Sequence, residues 1–397
     1  MASSISNTST HPRGIAYLES LPVEMIHEIM KQMGPSELTR FVLLSKTLLC
    51  TFEAHQTSIM CQVLQKQPEI GIMLTMYTMH KRDLVPGQML FPRSVKLDPR
   101  ANGANYPYDR SMVIHLFTAN VPDNWPVVTG KFLLQTCDLV RLWNLFKVVD
   151  WWVELYPTLR WRDEPENRRC LRPHEEVRLR KAVARWWLYA HHFHGSTHRD
   201  VYRPLKWRDD HRLHHMRVMS TREICELEDL WALVFEMVSK DLCSSPERIP
   251  VEGGHTVELV PWGADDGRHA RIVNTYLKFD PQELKGFFDG VYPPKKWDII
   301  RTARATTREF NLDSESMSYA ITTVLEERIM AMPKGITAIP RSGIVDEDRD
   351  VIEVKDPWNS DASPNGMHPL TRDQIRAYPR EPDKRLPNGD DGSDEPY

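Results

Sequence analysis

The chain has 397 residues, of which 41% are hydrophobic, so it is long enough to bury a substantial core and to form about two domains with tails. Its 51 Lys and Arg residues against 55 Asp and Glu residues leave a formal net charge of -4, which provides no overall attraction to nucleic acid or anionic membranes. Its six cysteines include no Cys-x-x-Cys pair, which disfavours a zinc ribbon or a disulfide framework.

Residues 1 to 17 begin with "MASSISNTSTHPRG", which is rich in Ser and Thr and lacks the apolar run of a signal peptide. We expect this N-terminal segment to be disordered. Nowhere in the chain do about eighteen uncharged apolar residues follow one another, so the sequence predicts no transmembrane helix and no membrane partner. These features favour a cytoplasmic or nuclear protein.

Residues 18 to 64 carry the signals of three short helices, most of them within "SLPVEMIHEIMKQMGPSELTRFVLLSKTLL". Pro22 suits the first position of a helix, where its missing N–H costs nothing, and Gly34-Pro35 ends that helix. Ser45 can cap the third helix. Apolar residues recur at helical spacing in the three segments, at Met25, Ile26, Ile29, Met30, Met33, Leu38, Phe41, Val42, Leu48, Phe52, Ile59 and Val63.

A unit of roughly forty residues is at the lower limit of what can bury a stable core alone. Its remaining apolar side chains therefore need another surface to cover them. That surface belongs either to the rest of the chain or to another protein.

This unit resembles an F-box, the three-helix module that docks onto the Skp adaptor of Skp–cullin–F-box ubiquitin ligases. The resemblance extends from the Leu-Pro start to the Ser-Lys junction before the third helix, at Leu21, Pro22, Glu24, Met25, Ile26, Ile29, Met30, Met33, Pro35, Leu38, Phe41, Ser45 and Lys46. It implies binding to the Skp adaptor and, through the adaptor, to cullin. An F-box followed by a Trp-rich helical body without repeats is similar to many fungal F-box proteins of unassigned role.

Apolar anchors of a helix that docks in a groove follow a spacing of three and four residues. On this basis the candidate contacts with the adaptor are Leu21, Pro22, Ile26, Ile29 and Leu38. The alternative is that residues 21 to 52 are only the N-terminal helical corner of one larger helical domain.

Residues 65 to 129 are rich in Pro and Gly, and no helical period persists there. We expect a linker or an irregular packed segment. Residues 130 to 335 then predict a helical domain, which the resemblance makes the candidate client-binding part. The sequence predicts a core helix after Gly130 that ends at Pro157, and a second helix that begins at Pro173 and ends at Gly195. Capping boxes at Ser220/Glu223 and Asp280/Glu283 predict the starts of two more helices. A last helix runs from Met317 to Pro333.

The stretch "VEGGHTVELVPW" is the only credible hairpin signal, so the predicted fold class is mainly α. No repeat with a period of twenty to fifty residues is present. Residues 336 to 397 are rich in Pro, Asp and Gly and predict a disordered C-terminal tail. The expected organisation is a three-helix F-box, a larger irregular helical domain and this tail.

Histidines cluster in "HHFHGSTH" and "HRLHH", between His191 and His215. Imidazole suits zinc, copper or nickel, so a metal-dependent enzyme is the alternative function. However, neighbouring histidines on a helix project differently, and the first segment holds no carboxylate to orient a ring. A polar helix end followed by a loop explains the pattern better, and we assign no metal, cofactor or catalytic residue.

Arginines and tryptophans alternate in "LRWRDEPENRRCLRPHEEVRLRKAVARWW", a pattern that a nucleic-acid surface could use. Acidic residues lie among the arginines, and Trp186-Trp187 fall at core positions of a helix. A solvated face with salt bridges is therefore the better interpretation, and we expect no nucleic-acid partner.

The sequence thus predicts a non-catalytic substrate receptor of a ubiquitin ligase, with the F-box bound to the Skp adaptor and the helical body bound to a client protein. An F-box protein that binds the adaptor outside any ligase fits the same residues.

Overall fold

Helices dominate the computed structural model, which describes residues 18–78, 94–97, 131–194, 211–244, 248–258, 266–289, 295–305, 316–331 and 343–346. Helices α1 to α4 span Val23–Gln32, Pro35–Val42, Lys46–Gln65 and Ile70–Thr78. Helices α5 to α8 span Thr136–Arg160, Pro173–Tyr189, His211–Arg217 and Thr221–Met237. Helices α9 to α12 span Asp266–Leu277, Pro281–Asp289, Lys296–Ala305 and Met317–Ala331. The prediction of a mainly α fold is confirmed.

Side-chain caps form where the sequence predicts helix starts. Ser45 Oγ accepts a hydrogen bond from the Leu48 N–H at 3.2 Å and so caps α3. At α8 the Ser220 hydroxyl accepts from the Glu223 N–H at 3.2 Å, and Glu223 Oε2 accepts from the Ser220 N–H at 2.8 Å. This reciprocal pair is the predicted capping box.

Two helix predictions need correction. Helix α5 does not end at Pro157 but continues to Arg160, because a proline in the last turn removes only one intrahelical hydrogen bond. Helix α4, Ile70–Thr78, lies in the segment where we expected no helix, and most of its residues are buried. A helix that is buried on nearly every side has no amphipathic period to detect. Gly195 and Pro333, the other expected stops, lie outside the described residues.

The described residues include four short strands: β1, Ser94–Leu97; β2, Lys131–Leu134; β3, Arg248–Val251; and β4, His255–Glu258. The predicted hairpin is confirmed as the antiparallel pair of β3 and β4. Its turn places Gly253 at φ 108° and Gly254 at φ 80°, a region that residues with a Cβ rarely adopt. A parallel pair that the sequence did not predict joins Ser94–Leu97 to Lys131–Leu134.

A row of tryptophans forms the centre of the body. The Trp152 and Trp186 rings meet edge to face with centroids 5.0 Å apart, and the Trp186 and Trp231 rings do so at 6.0 Å. These residues belong to α5, α6 and α8, so one aromatic row joins the three helices. The predicted core positions of Trp186 and Trp187 are confirmed, since both side chains are buried. Among the described residues, no helix is both long and apolar enough to cross a membrane.

Residues 343–346 belong to the expected disordered tail, yet the structure describes them, bound against α6 and α8. Ile344 is completely buried there. This part of the tail prediction is therefore wrong, because side chains distant in the sequence supply the apolar and ionic contacts that the segment itself lacks. The remaining residues from 336 to 397, and residues 1 to 17, lie outside the described part of the chain.

Candidate functional site: the outer face of α1

Helix α1 presents apolar residues both to the core and to solvent. Ile26 and Met30 point inward, with exposed fractions of 2% and 0%. Val23 and Met25 point outward and remain 48% and 53% exposed. A surface helix normally keeps such residues on its inner side, so the outer side of α1 has apolar area beyond what this fold buries.

The outer face, as we call it, consists of Glu24, Met25, Glu28, Ile29 and Gln32, which line one shallow depression along α1. Met25 and Ile29 are four residues apart and follow each other along the same side of the helix. Two carboxylates and an amide flank them. Glu28 is engaged by Lys31 at 2.7 Å, an exposed pair that leaves the apolar side chains uncovered.

The five predicted adaptor contacts do not all lie on a surface. Pro22 is exposed, and Leu21 and Ile29 are half-buried. Ile26 and Leu38 are buried in the core, at 2% and 0% exposure, so no partner reaches them in this structure. The side chains of these two residues fill the interior of the three-helix unit, so the structure does not place them on the surface where we predicted contacts.

The candidate contacts predicted from the sequence leave out four exposed apolar residues of the unit: Val23 and Met25 on α1, and Leu43 and Leu44 after α2, which are 72% and 56% exposed. The apolar pairs Met25-Ile26 and Ile29-Met30 show that α1 has two apolar sides, but not which member of each pair is inside. The packing of α1 against α3 determines which member of each pair faces the core. The periodicity of the sequence does not reveal this contact.

The three-helix unit is fastened to the helical body through the start of α2. The Ser36 N–H donates to Asp150 Oδ2 at 2.9 Å, and Trp143 Nε1 donates to Thr39 Oγ1 at 3.3 Å. Asp150 also accepts from Arg180 Nη2 at 2.7 Å. The side of the unit that faces the body is therefore occupied, while residues of α1 alone line the outer face.

The histidines of the cluster that the structure describes do not form a group of three close ligand atoms. His192, His194 and His215 are buried, and their rings lie against Tyr189 and Phe193 at centroid distances such as 5.2 Å for Tyr189–His194. Burial lowers the pKa of His194 to about 3, so this ring is neutral. His198 lies outside the described residues.

Within the described ranges, the one group whose ligand atoms come close enough for a metal is His174, Glu175 and Asp346. Cations of the chain already neutralise it. Glu175 accepts two hydrogen bonds from Arg169, at 2.7 and 2.6 Å, and Asp346 accepts one from Arg178 at 2.5 Å. These contacts explain the group as an internal ion-pair network.

The arginine-rich stretch forms ion pairs, as the sequence predicts, but several are buried. Arg185 is 3% exposed and pairs with Glu223 and Glu226. Arg180 pairs with Asp150 at 2.7 Å and with Glu69 at 3.1 Å. The expected solvated face is thus partly an interior network that holds α6 in place.

Comparison with known proteins gave no match: no family model, no curated protein and no solved structure is similar to this chain. Its function is therefore inferred from its own residues and their geometry.

Proposed function

We propose that this protein is a substrate receptor that binds a Skp-type adaptor through the outer face of α1 and brings a client protein, held by the helical body, to a ubiquitin ligase. The observation that carries the proposal is the apolar pair on the outer face, the exposed Met25 and the half-buried Ile29, within a unit that resembles an F-box. The receptor itself performs no chemistry. Its contribution is proximity, since a shared scaffold raises the effective concentration of client and charged enzyme.

The exposed anchors have the spacing of a groove-docking helix. Pro22, Met25 and Ile29 follow one another at intervals of three and four residues, and each is exposed or half-buried. A partner groove that accepts this side of α1 buries apolar area that the chain leaves in water. The revised contact set is Leu21, Pro22, Met25 and Ile29, without the buried Ile26 and Leu38.

The attachment of the three-helix unit to the helical body also supports the proposed role as a receptor. Asp150 and Arg180 connect the start of α2 to the centre of the body, so an adaptor bound to α1 and a client bound to the body would keep a defined relative position. A defined position favours transfer of ubiquitin to a defined part of the client.

Co-expression of the full chain with a Skp adaptor, followed by size-exclusion chromatography, tests the proposal. The informative variant is Met25→Asp/Ile29→Asp, which places charge on the outer face without entering the core. The matched control is Val251→Asp/Val257→Asp on the hairpin, where both valines are similarly exposed, at 45% and 53%. Circular dichroism melting verifies that each variant folds.

The proposal predicts an equimolar complex for the wild type and the hairpin variant. It predicts about 100-fold weaker binding for the α1 variant, since two central apolar anchors contribute roughly 3 kcal/mol together. A folded wild-type chain that does not bind, or an α1 variant that binds as well as the control, would mean that the unit is only a helical corner of the body.

A further inference from the structure

Residues Gly343 to Asp346 lie in a groove between α6 and α8, which we call the tail groove. Ile344 is the apolar anchor and is completely buried among core residues, and Val345 packs against them at the edge. The whole described segment is four residues long, and eleven residues separate it from the end of α12 at Ala331. The segment bends at Ile344 and Val345 and has no regular secondary structure.

The tail groove binds the main chain of the segment at both ends. The Ile344 N–H donates to Asp229 Oδ2 at 2.9 Å, and the Asp346 N–H donates to Glu175 Oε1 at 2.9 Å. Arg178 Nη1 also donates to the Ile344 carbonyl at 3.4 Å. Every peptide has these backbone groups, so the contacts would serve another chain equally well.

Side-chain contacts restrict which sequence fits. Arg178 donates to Asp346 Oδ1 at 2.5 Å, and His174 Nε2 bonds the other carboxylate oxygen. At Gly343 a Cβ would come within 2.8 Å of Asp229 Oδ2, so a larger residue does not fit without a shift. The tail groove therefore selects a small residue, an aliphatic residue, a second apolar residue and an acidic residue, in that order.

The groove residues are held by the body itself. Asp229 accepts from the Tyr156 hydroxyl at 3.0 Å and lies 3.7 Å from Arg160, both on α5. Glu175 is held by Arg169 and by the Arg172 N–H at 2.7 Å. Because α5, α6 and α8 position these groups without help from the tail, the groove is pre-organised to bind a peptide.

We propose that the tail groove is a recognition site for a short segment of a partner protein with the pattern Gly–(Ile or Val)–(apolar residue)–Asp, and that residues 343–346 occupy it as a tethered internal competitor. One buried aliphatic side chain and one ion-paired carboxylate anchor the segment, a set small enough to exchange. None of these residues lies in the three-helix unit, so the proposal stands apart from adaptor binding.

Fluorescence polarisation with a labelled peptide of the sequence RSGIVDED, residues 341 to 348, tests the proposal on the full-length chain. In the wild type the tethered segment competes at an effective concentration of about 1 mM. The variant Ile344→Asp releases it from the groove without changing any groove residue. We expect this variant to bind the peptide at least 10-fold more tightly than the wild type does.

Two controls locate the binding. Adding Arg178→Ala to the Ile344→Asp chain should weaken peptide binding at least 10-fold, because the acidic residue loses its partner. A peptide with Asp in place of its Ile should not bind. If Ile344→Asp does not fold, Gly343→Val, whose side chain collides with Asp229, releases the segment instead.

Equal binding of the peptide by wild-type and released chains would overturn the proposal, as would equal binding of the two peptides. Failure of both release variants to fold would also overturn it, since a segment that the fold requires is not an exchangeable occupant.

Discussion

The Ser36 N–H and the Asp150 carboxylate, 114 residues apart in the chain, form a hydrogen bond of 2.9 Å that joins the three-helix unit to the helical body. Asp150 lies on α5 with a side chain only 8% exposed, and Arg180 of α6 donates to its second oxygen. One buried carboxylate therefore caps the start of α2 and balances a buried guanidinium. The unit and the body share this contact and should unfold together.

Replacing Asp150 with Ala should lower the free energy of unfolding by about 3 kcal/mol, because it leaves Arg180 with less negative charge and the start of α2 uncapped. The control is Glu154→Ala, which removes the exposed Arg40–Glu154 pair that joins the same two elements at 2.8 Å. This control variant should lower the free energy of unfolding by less than about 1 kcal/mol. Urea unfolding measures both, and equal losses would contradict the role given to Asp150.

Glu69 should make stability depend on pH near neutrality. It is fully buried, and burial raises its pKa to about 7, although Arg180 opposes the shift. Since the folded-state pKa lies above the ordinary value of 4.5, the folded chain keeps a proton that the unfolded chain has lost. Stability contributed by the protonated acid is thus present below about pH 4.5 and is lost as pH rises through 7.

Glu69→Gln should remove this dependence, so that its stability relative to wild type increases by up to about 3 kcal/mol between pH 5 and pH 8. Urea midpoints at the two pH values measure the change. Glu176→Gln is the matched control, because it removes a more exposed carboxylate from the same guanidinium. A relative stability of Glu69→Gln that does not change with pH would contradict a raised pKa.

Trp152 and Trp186 allow a comparison of two buried indoles. Both are at most 1% exposed, but Trp152 Nε1 donates to the Pro281 carbonyl at 3.1 Å, whereas Trp186 Nε1 has no hydrogen-bond partner within the described ranges. Trp152→Phe should therefore lower the free energy of unfolding by about 1 kcal/mol more than Trp186→Phe, because it alone removes an indole hydrogen bond. Thermal unfolding gives the order, and the reverse order would contradict this assignment.

Because of Asp346, the binding of the tail segment should weaken at acidic pH. Burial acts to raise its pKa, but hydrogen bonds from Arg178 and His174 prevail and lower it to about 2. A folded-state pKa below the ordinary 3.8 means that the stabilisation is present above about pH 4 and is lost as pH falls towards 2.

Asp346→Asn should cost about 1 kcal/mol at pH 6, a value reduced for the 36% exposure of the side chain, and nothing near pH 2. Differences in urea midpoint between wild type and variant at pH 6, 4 and 2.5 measure this. A cost that stays constant across the three values would show that the charge of Asp346 contributes nothing.

Local signals predicted the helix starts correctly, because the capping groups of Ser45 and Ser220 act within three residues of their own positions. Other features depend on contacts that are distant in the sequence. The helix Ile70–Thr78 is apolar all round, and the seating of Ile344 needs α6 and α8. Periodicity found both apolar sides of α1, but only packing showed that Ile26 is inside and Met25 outside.

The most direct measurement of adaptor docking is hydrogen exchange of the full-length chain, with and without a Skp adaptor, followed by mass spectrometry of its peptides. The account predicts slower exchange in residues 18 to 49 when the adaptor is present, strongest in α1, with exchange in α8 unchanged. A folded chain whose exchange in that region is the same with and without a saturating adaptor would contradict it.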